Sequence, residues 1–228
     1  MATTPKRRSY DDACAAAHAL DLTGERWALL VVRELLLGPK RFTDLRAGLP
    51  NASPNVLAQR LRELEAVGVV RRRKLPPPAA SRVYELTEWG MELEPVIISL
   101  GRWGARSTSR PRDAALGVDS LILSLRTMFD ASAAEGIEAT YELRLGEEVF
   151  TAEVADGRFE VVRGDAQRPE ATIEADAGTL AALIYEGGSL EEALRSGAVK
   201  VGGEREAVER FLTLFRLPEP APQVIEKV

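Results

Sequence analysis

Residues 53–65 read Ser53-Pro54-Asn55-Val56-Leu57-Ala58-Gln59-Arg60-Leu61-Arg62-Glu63-Leu64-Glu65, a run that predicts one amphipathic helix. Ser53 can accept a hydrogen bond from the first turn, and Pro54 suits the first helical position. Steps of four and three place Leu57, Leu61 and Leu64 on one face of this helix. The leucine face therefore predicts burial against a core, and the opposite face is left for water or a partner.

The polar side of the same helix carries side chains that can recognise DNA. Asn55, Gln59 and Arg62 share it, and Arg60 lies to one side. Such side chains hydrogen-bond base edges, and arginine also binds phosphate. An ordinary amphipathic surface helix shows the same pattern, so the neighbouring segments must decide between the two interpretations.

The segments before this helix predict a helix-turn-helix. Two helices are predicted over residues 10–20 and 25–37, followed by a short extended piece at Arg41 and a short helix capped by Thr43. A tight turn then leads into the helix that starts after Ser53. In this arrangement the second helix of the motif enters the DNA major groove.

The segments after it predict a wing, a hairpin of strands 69–75 and 82–86 joined by a proline-rich loop. The hairpin carries five cations, namely Arg71, Arg72, Arg73, Lys74 and Arg82. Cations beside a recognition helix suit the phosphate backbone or the minor groove, although a solvated charge run is the alternative. We predict that DNA is contacted by Arg41, Thr43, Ser53, Asn55, Gln59, Arg60, Arg62, Arg72, Arg73, Lys74 and Arg82.

A longer helix is predicted from Glu88 to about Arg106, capped by Thr87 and kinked at Pro95. Its apolar side chains exceed what packing against a small domain requires. We interpret the surplus as a homodimer contact, shared with the helix near Cys14.

Composition and charge agree with two dissimilar halves. Residues 1–112 hold 19 Lys and Arg against 12 Asp and Glu, a net charge of +7. Residues 113–228 hold 11 Lys and Arg against 23 Asp and Glu, a net charge of −12, so the whole chain carries −5. The basic half suits phosphate, whereas the acidic half does not. One cysteine and one histidine argue against a disulfide framework and against a metal site. No apolar run reaches the length of a membrane span, so we expect a cytoplasmic protein without membrane contact or cofactor.

Several blocks of the first half resemble the HxlR-type, MarR-like transcriptional regulators. The matching blocks are Gly24-Glu25-Arg26-Trp27, Glu34-Leu35 with Gly38, Arg41-Phe42-Thr43-Asp44-Leu45, residues 56–65, Gly68-Val69-Val70-Arg71-Arg72 and residues 84–90. The resemblance, which runs from Cys14 to Trp103, implies a winged helix-turn-helix homodimer that binds a partly palindromic double-stranded operator. The loop after Leu75 departs from the family, whose wing is usually shorter.

The second half predicts a separate α+β domain. The predicted division is a tail of residues 1–9, a DNA-binding and dimerisation domain 10–106, a linker 107–117, a domain 118–217 and a tail 218–228. A helix from 118 to 134 is followed by a meander of strands and then by helices, the last from 204 to 217. Strands grouped before helices are typical of the α+β class with a mostly antiparallel sheet.

The order of these elements resembles the sterol carrier protein type 2 (SCP2-like) fold over residues 137–217. The resemblance implies a hydrophobic tunnel for a lipid, an acyl chain or another apolar small molecule. The residues predicted to line it are Leu125, Met128, Phe129, Tyr141, Phe150, Leu183, Ile184, Phe211 and Phe215. Each of them could equally be ordinary core.

No catalytic set can be assembled from one cysteine and one histidine, so we expect a protein that is not an enzyme. Cys14 and His18 fall one helical turn apart, and a thiolate there could sense oxidants or electrophiles; buried packing is the alternative for Cys14. The sequence thus predicts a DNA-binding repressor that responds to an apolar effector. The alternative is a lipid carrier that uses the winged helix only for dimerisation.

Overall fold

The computed structural model describes residues 9–77, 80–111 and 114–222, and the chain divides into two compact units, residues 1–97 and 98–228. The predicted tails therefore lie largely outside the described residues, as do parts of the predicted wing loop and linker. The first half contains α1 (Ala15–Thr23), α2 (Ala28–Leu35), α3 (Phe42–Gly48), α4 (Pro54–Ala66), β1 (Val70–Lys74), β2 (Arg82–Leu86), α5 (Glu88–Met91) and α6 (Glu94–Ala105).

The N-terminal unit folds around the apolar face of α4. Leu57, Leu61 and Leu64 are fully or almost fully buried, and α4 contacts α2 and β1. Burying each such leucine contributes roughly 1.5–3 kcal/mol. Ser53 caps the helix by accepting a hydrogen bond from the backbone N–H of Val56. The amphipathic helix predicted at Ser53 is confirmed.

Thr43 does not cap α3, contrary to the prediction. The helix begins at Phe42, and the carboxylate of Asp44 accepts a hydrogen bond from the backbone N–H of Arg41 at 3.0 Å. The Thr43 hydroxyl instead donates to the other oxygen of Asp44. A carboxylate at the third helical position can satisfy the flanking amide, so Asp44 does what the prediction assigned to the hydroxyl.

The single helix predicted from residue 88 to 106 is two helices. Helix α5 ends at Met91 and α6 begins at Glu94, so Pro95 lies in a first turn, where its missing N–H costs nothing. The predicted kink at Pro95 was therefore wrong. The two compact units divide inside α6, after Ile97, and the linker predicted at 107–117 stays a prediction.

The C-terminal unit is an α+β fold with a five-stranded mixed sheet. Its elements are α7 (Val118–Met128), β3 (Ala139–Leu145), β4 (Glu148–Ala155), β5 (Arg158–Arg163), β6 (Ala171–Ala175), α8 (Ala177–Tyr185), α9 (Leu190–Ser196), β7 (Val199–Gly203) and α10 (Arg205–Leu212). The strand order is β5-β4-β3-β6-β7, with β3 and β6 parallel and the other neighbours antiparallel. The mostly antiparallel sheet is confirmed.

Two helices of this unit are shorter than predicted for a common reason. Helix α7 ends at Met128 because Phe129 is extended, and Phe129 forms a β-bridge with Phe215 beyond the end of α10. The backbone hydrogen bond from Arg216 N–H to the carbonyl of Met128, at 2.8 Å, closes the same junction. Tertiary pairing therefore ends both helices before their apolar periodicity does.

Candidate nucleic-acid interface

The outer face of α4 presents three polar side chains to solvent. Asn55, Gln59 and Arg62 are exposed, on the side opposite the buried leucines. Gln59 donates a hydrogen bond to Glu63 at 2.9 Å, whereas within the described residues the side chains of Asn55 and Arg62 make no polar contact. This face can therefore offer an amide and a guanidinium to base edges without first breaking internal bonds.

Arg60 does not belong to this face. Its side chain is only 11% exposed and forms ion pairs with Glu63 and, at 3.6 Å, with Glu25 in the turn before α2. Two carboxylates therefore compete with phosphate for this guanidinium. The structure therefore places Arg60 behind the surface that was predicted to include it.

The N-terminal ends of α3 and α4 hold the other predicted contacts on the helices. Arg41, Thr43 and Ser53 are exposed at these ends. The hydroxyls of Thr43 and Ser53 are already used in local hydrogen bonds, to Asp44 and from Val56. Arg41 thus has the freest side chain of the three, and their DNA contacts remain a prediction.

The wing is less basic in effect than its sequence suggests. Glu85 on β2 is buried and accepts from Arg71 at 2.7 Å and from Arg73 at 2.8 Å. Arg71 faces Glu85 directly in the antiparallel register, and Arg73 lies two residues along the same face. One carboxylate therefore neutralises part of the charge of two of the five wing cations.

Arg72, on the other face of the wing, is also engaged. Its guanidinium lies 3.0 Å from a carboxylate oxygen of Glu65 on α4 and 5.3 Å from the centroid of the Tyr84 ring. Lys74 and Arg82 are exposed and face each other in the register. Neither has an ion pair among the residues that the structure describes, so these two wing cations are the ones left free for phosphate.

The carboxylates that organise this surface were missed by the sequence reading. Neither Glu65 nor Glu85 is assigned a role by the helical and strand patterns that contain them. The alternation of β2 does contain a signal for Glu85, since it places this residue across the hairpin from the arginine run. No comparable sequence signal identifies Glu65, because its pairing with Arg72 depends on how the wing folds back.

Cys14 is exposed in the single chain, and its predicted role as a sensor stays a prediction. It lies just before α1, and the backbone amides of Ala17 and then Ala16 lower the pKa of its thiol. The start of a helix favours thiolate in this way. The predicted help from His18 is not seen, because within the described chain the imidazole of His18 makes no side-chain hydrogen bond.

The predicted ligand-lining residues lie in the core of the C-terminal unit, or close to it. Leu125, Met128, Tyr141, Phe150, Leu183, Phe211 and Phe215 are buried, whereas Phe129 and Ile184 are partly exposed. Ring centroids are 4.8 Å apart for Tyr141 and Phe211, and 5.0 Å for Phe211 and Phe215. Phe129 and Phe159 stack at 5.5 Å. At these positions protein side chains occupy the space that the predicted tunnel required.

A cavity of about 600 Å³ lies at the rim of this aromatic cluster. Met128 and Phe129 line it, which brings two of the nine predicted residues to its wall. The remaining wall has mixed charge, with Arg102 and Arg216 against Asp130 and Glu219. Arg102 is fixed by donating twice to the Thr127 carbonyl, and hydrogen bonds from Ser132 lower the pKa of Asp130.

The described ranges 9–77, 80–111 and 114–222 contain neither a cluster of metal ligands nor a membrane-spanning helix. No group of three or more His, Cys, Asp or Glu side chains there is arranged to hold a metal ion. No helix there has the length and apolarity needed to cross a bilayer.

Two family descriptions match the chain, one for each half. The HxlR-like helix-turn-helix family matches residues 22–111, and the alkyl sulfatase C-terminal family matches residues 112–227. The second description is not the SCP2-like resemblance, which stays a prediction.

Individual relatives divide in the same way. The uncharacterized HTH-type transcriptional regulator YvaP of Bacillus subtilis is 41% identical over 85 residues, 37% of this chain and 79% of the relative. The HTH-type transcriptional regulator YodB of the same organism is 39% identical over 85 residues, 37% of this chain and 76% of the relative. The solved sec-alkylsulfatase Pisa1 from Pseudomonas sp. aligns at 20% identity and a TM-score of 0.44, over 49% of this chain and only 18% of that protein.

These matches decide between the two functions weighed from the sequence. The regulator resemblance is confirmed by family and by relatives, whereas nothing supports a lipid carrier that keeps the winged helix only for dimerisation. The chain belongs to the HxlR-like helix-turn-helix family as a DNA-binding transcriptional regulator, and its C-terminal half belongs to the alkyl sulfatase C-terminal family.

Proposed function

We propose that the protein is a homodimeric transcriptional repressor whose α4 reads an operator and whose C-terminal domain binds an apolar effector. The observation that carries the DNA half is the outer face of α4, where Asn55, Gln59 and Arg62 are exposed above buried leucines. Amide and guanidinium groups on a rigid helix suit base edges in the major groove.

The other contacts in this proposal hold the protein on the duplex. Lys74 and Arg82 bind phosphate from the wing, and Arg41, Thr43 and Ser53 approach the backbone from the ends of α3 and α4. Phosphate contacts fix register and orientation, whereas base contacts supply the sequence preference. The two groups should therefore respond differently to salt and to sequence.

Dimerisation is proposed from exposed apolar side chains of the N-terminal unit. Leu20 on α1, Leu30 on α2, Met91 on α5 and Val96 on α6 are between 38% and 51% exposed. Large apolar side chains that remain exposed often mark an interface. Light scattering on the purified protein should give twice the mass of the chain; a monomer at micromolar concentration would contradict this.

The proposed DNA binding is tested by letting the full-length protein select genomic fragments from the source organism. Binding titrations with the selected fragments follow. We expect recovery of a partly palindromic duplex, with half-sites spaced by about one helical turn or a multiple. Replacing both Asn55 and Gln59 by alanine should abolish selection of this sequence while leaving weak, salt-sensitive binding. Failure of the unmodified protein to enrich any fragment at low salt would refute the proposal.

The effector half rests on the match to the alkyl sulfatase C-terminal family and on the cavity beside Met128 and Phe129. The activity of Pisa1 is not carried over to this chain, and we propose binding without turnover. Decyl sulfate and decanol below their aggregation concentrations are suitable probes. Either should raise the melting temperature and change operator affinity, since an effector must bind one state better than another. Sulfate release from decyl sulfate would contradict a purely regulatory role.

Cys14 supports a second regulatory signal, an electrophile that reacts with its thiol. Its exposure and the helix amides that lower the pKa of its thiol suit reaction with electrophiles. A maleimide probe should label the native protein at this single cysteine, and labelling should change operator affinity. A Cys14→Ser variant that keeps the full response to an electrophile would exclude Cys14 as the sensor.

A further inference from the structure

Charged contacts reach the recognition helix α4 from two sides. On one side Arg60 of α4 pairs with Glu25, in the turn between α1 and α2, and with Glu63. On the other side Glu65 of α4 pairs with Arg72 of the wing. Both arginines were predicted from the sequence to contact DNA, yet both point into protein carboxylates.

One partner of Arg72, Tyr84, is itself fixed. Tyr84, over whose ring the guanidinium lies, forms a β-bridge with Lys40, with backbone hydrogen bonds of 3.0 and 2.8 Å. The ammonium of Lys40 pairs at 2.7 Å with Glu34, a buried carboxylate of α2. A continuous set of contacts therefore runs from α2 through the wing to the C-terminal part of α4.

We propose that Arg60 and Arg72 are positioning residues, which hold the wing and the turn at Glu25 against α4 instead of binding DNA. The inference rests on the proposed DNA interface. Base readout needs side chains held within about 0.5 Å of the productive geometry by supporting contacts. Asn55, Gln59 and Arg62 are supported from below by the leucines, and the two arginines fix the helix laterally.

If the ion pairs position the wing, replacing a glutamate should change the affinity for DNA in the direction opposite to that expected from net charge alone. Replacing a glutamate near DNA by glutamine removes a negative charge, which on its own should tighten binding to phosphate. If Glu65 instead holds Arg72 and the wing in place, Glu65→Gln weakens binding even though the net charge becomes more favourable. Glu25→Gln should likewise weaken binding to DNA, because it removes the ion pair with Arg60.

The experiment measures operator affinity as a function of salt for full-length variants, with the duplex recovered by genomic selection. We expect Glu65→Gln and Arg72→Gln each to weaken binding about three- to tenfold, a size consistent with a partly exposed ion pair plus a cation–π contact. The double variant should be no weaker than the weaker single variant, because both substitutions remove one interaction. Glu25→Gln should weaken binding by a similar or smaller factor.

The slope of the logarithm of the affinity against the logarithm of the salt concentration distinguishes a positioning residue from a phosphate-binding residue. Arg72→Gln should leave the slope unchanged, whereas Lys74→Gln should reduce it by about 0.9. Glu92→Gln is the matched control, because Glu92 is exposed and has no ion pair in the described part of the chain; it should not weaken binding. Thermal melting confirms that each variant is folded, and Glu25→Gln tests the Arg60 contact without removing the enclosed arginine.

Tighter binding by Glu65→Gln, or a slope reduced by about 0.9 in Arg72→Gln, would overturn the inference. Either result would show that Arg72 binds phosphate. If the unmodified protein binds no duplex, the proposed function itself fails. If it binds and the variants follow simple electrostatics, only the positioning role fails.

Discussion

The outer face of α4 and the aromatic cluster of the C-terminal unit are the two regions from which partner binding can be argued, and they differ in what already touches them. On α4 the side chains of Asn55 and Arg62 end in solvent, without a polar partner among the described residues. In the cluster the ring of Phe211 packs against those of Tyr141 and Phe215, and all three are buried. A region with free polar groups can bind without rearrangement, whereas a filled apolar region contributes first to stability.

The largest expected effect tests whether the cluster is filled. Phe211→Ala should destabilise the protein by about 3–5 kcal/mol, because the ring is fully buried and its removal leaves a cavity. Urea denaturation monitored by circular dichroism measures this loss. A loss below about 1 kcal/mol would indicate that Phe211 borders open space, and the difference between the two regions would disappear.

The next effect tests the free face of α4. Arg62→Ala should weaken operator binding by about 1–3 kcal/mol and relax the preference at one base position, while the melting temperature stays unchanged. The measurement is a titration against the operator and a set of single-base variants. Arg205→Ala, an exposed substitution in the C-terminal unit, is the control. A uniform loss on every sequence would reassign Arg62 to phosphate.

A smaller effect should appear at high pH. Burial raises the pKa of Tyr185 to about 12, and a hydrogen bond from Ser124 partly opposes this. The unfolded tyrosine ionises near pH 10, so the unfolded state loses its proton first. This contribution is fully present below pH 10 and is lost as the pH rises towards 12, at most about 3 kcal/mol.

Urea denaturation between pH 9 and 11 measures this loss, and Tyr185→Phe provides the comparison. The phenylalanine variant should be less dependent on pH over this range, although it loses the hydrogen bond from Ser124. Identical pH dependence of the two proteins would show that Tyr185 is accessible to water.

The smallest effect concerns the free cations of the wing. Arg82→Gln should weaken binding only a few-fold, equally on operator and unrelated duplexes, because a single phosphate contact carries no sequence information. Competition titrations with both duplexes at several salt concentrations check this. A loss confined to the operator would instead indicate that Arg82 reads the minor groove.

The elements were more predictable than their ends and partners. Strand β2 begins and ends at the predicted residues 82 and 86, because alternation and turn residues are local signals. The end of α7 was not predictable, since Phe129 leaves the helix in order to pair with Phe215 across the fold. The DNA-facing residues of α4 could be chosen by helical period alone, whereas Arg60 could not be excluded without Glu25, which lies 35 positions earlier.

What the sequence determined by itself was the recognition helix, from the cap at Ser53 to the leucines that orient it, because both act within a few residues. It also determined the separation of a basic half from an acidic one, since formal charge follows from composition. Only the tertiary structure decided which charges remain available. Glu85 and Glu65 pair with three wing arginines, whereas Lys74 and Arg82 on the wing and Asn55 and Arg62 on α4 have no ion pair or polar partner among the described residues. Ion pairs form between side chains brought together by folding, so a local reading counts the charges of this helix and wing but not their partners.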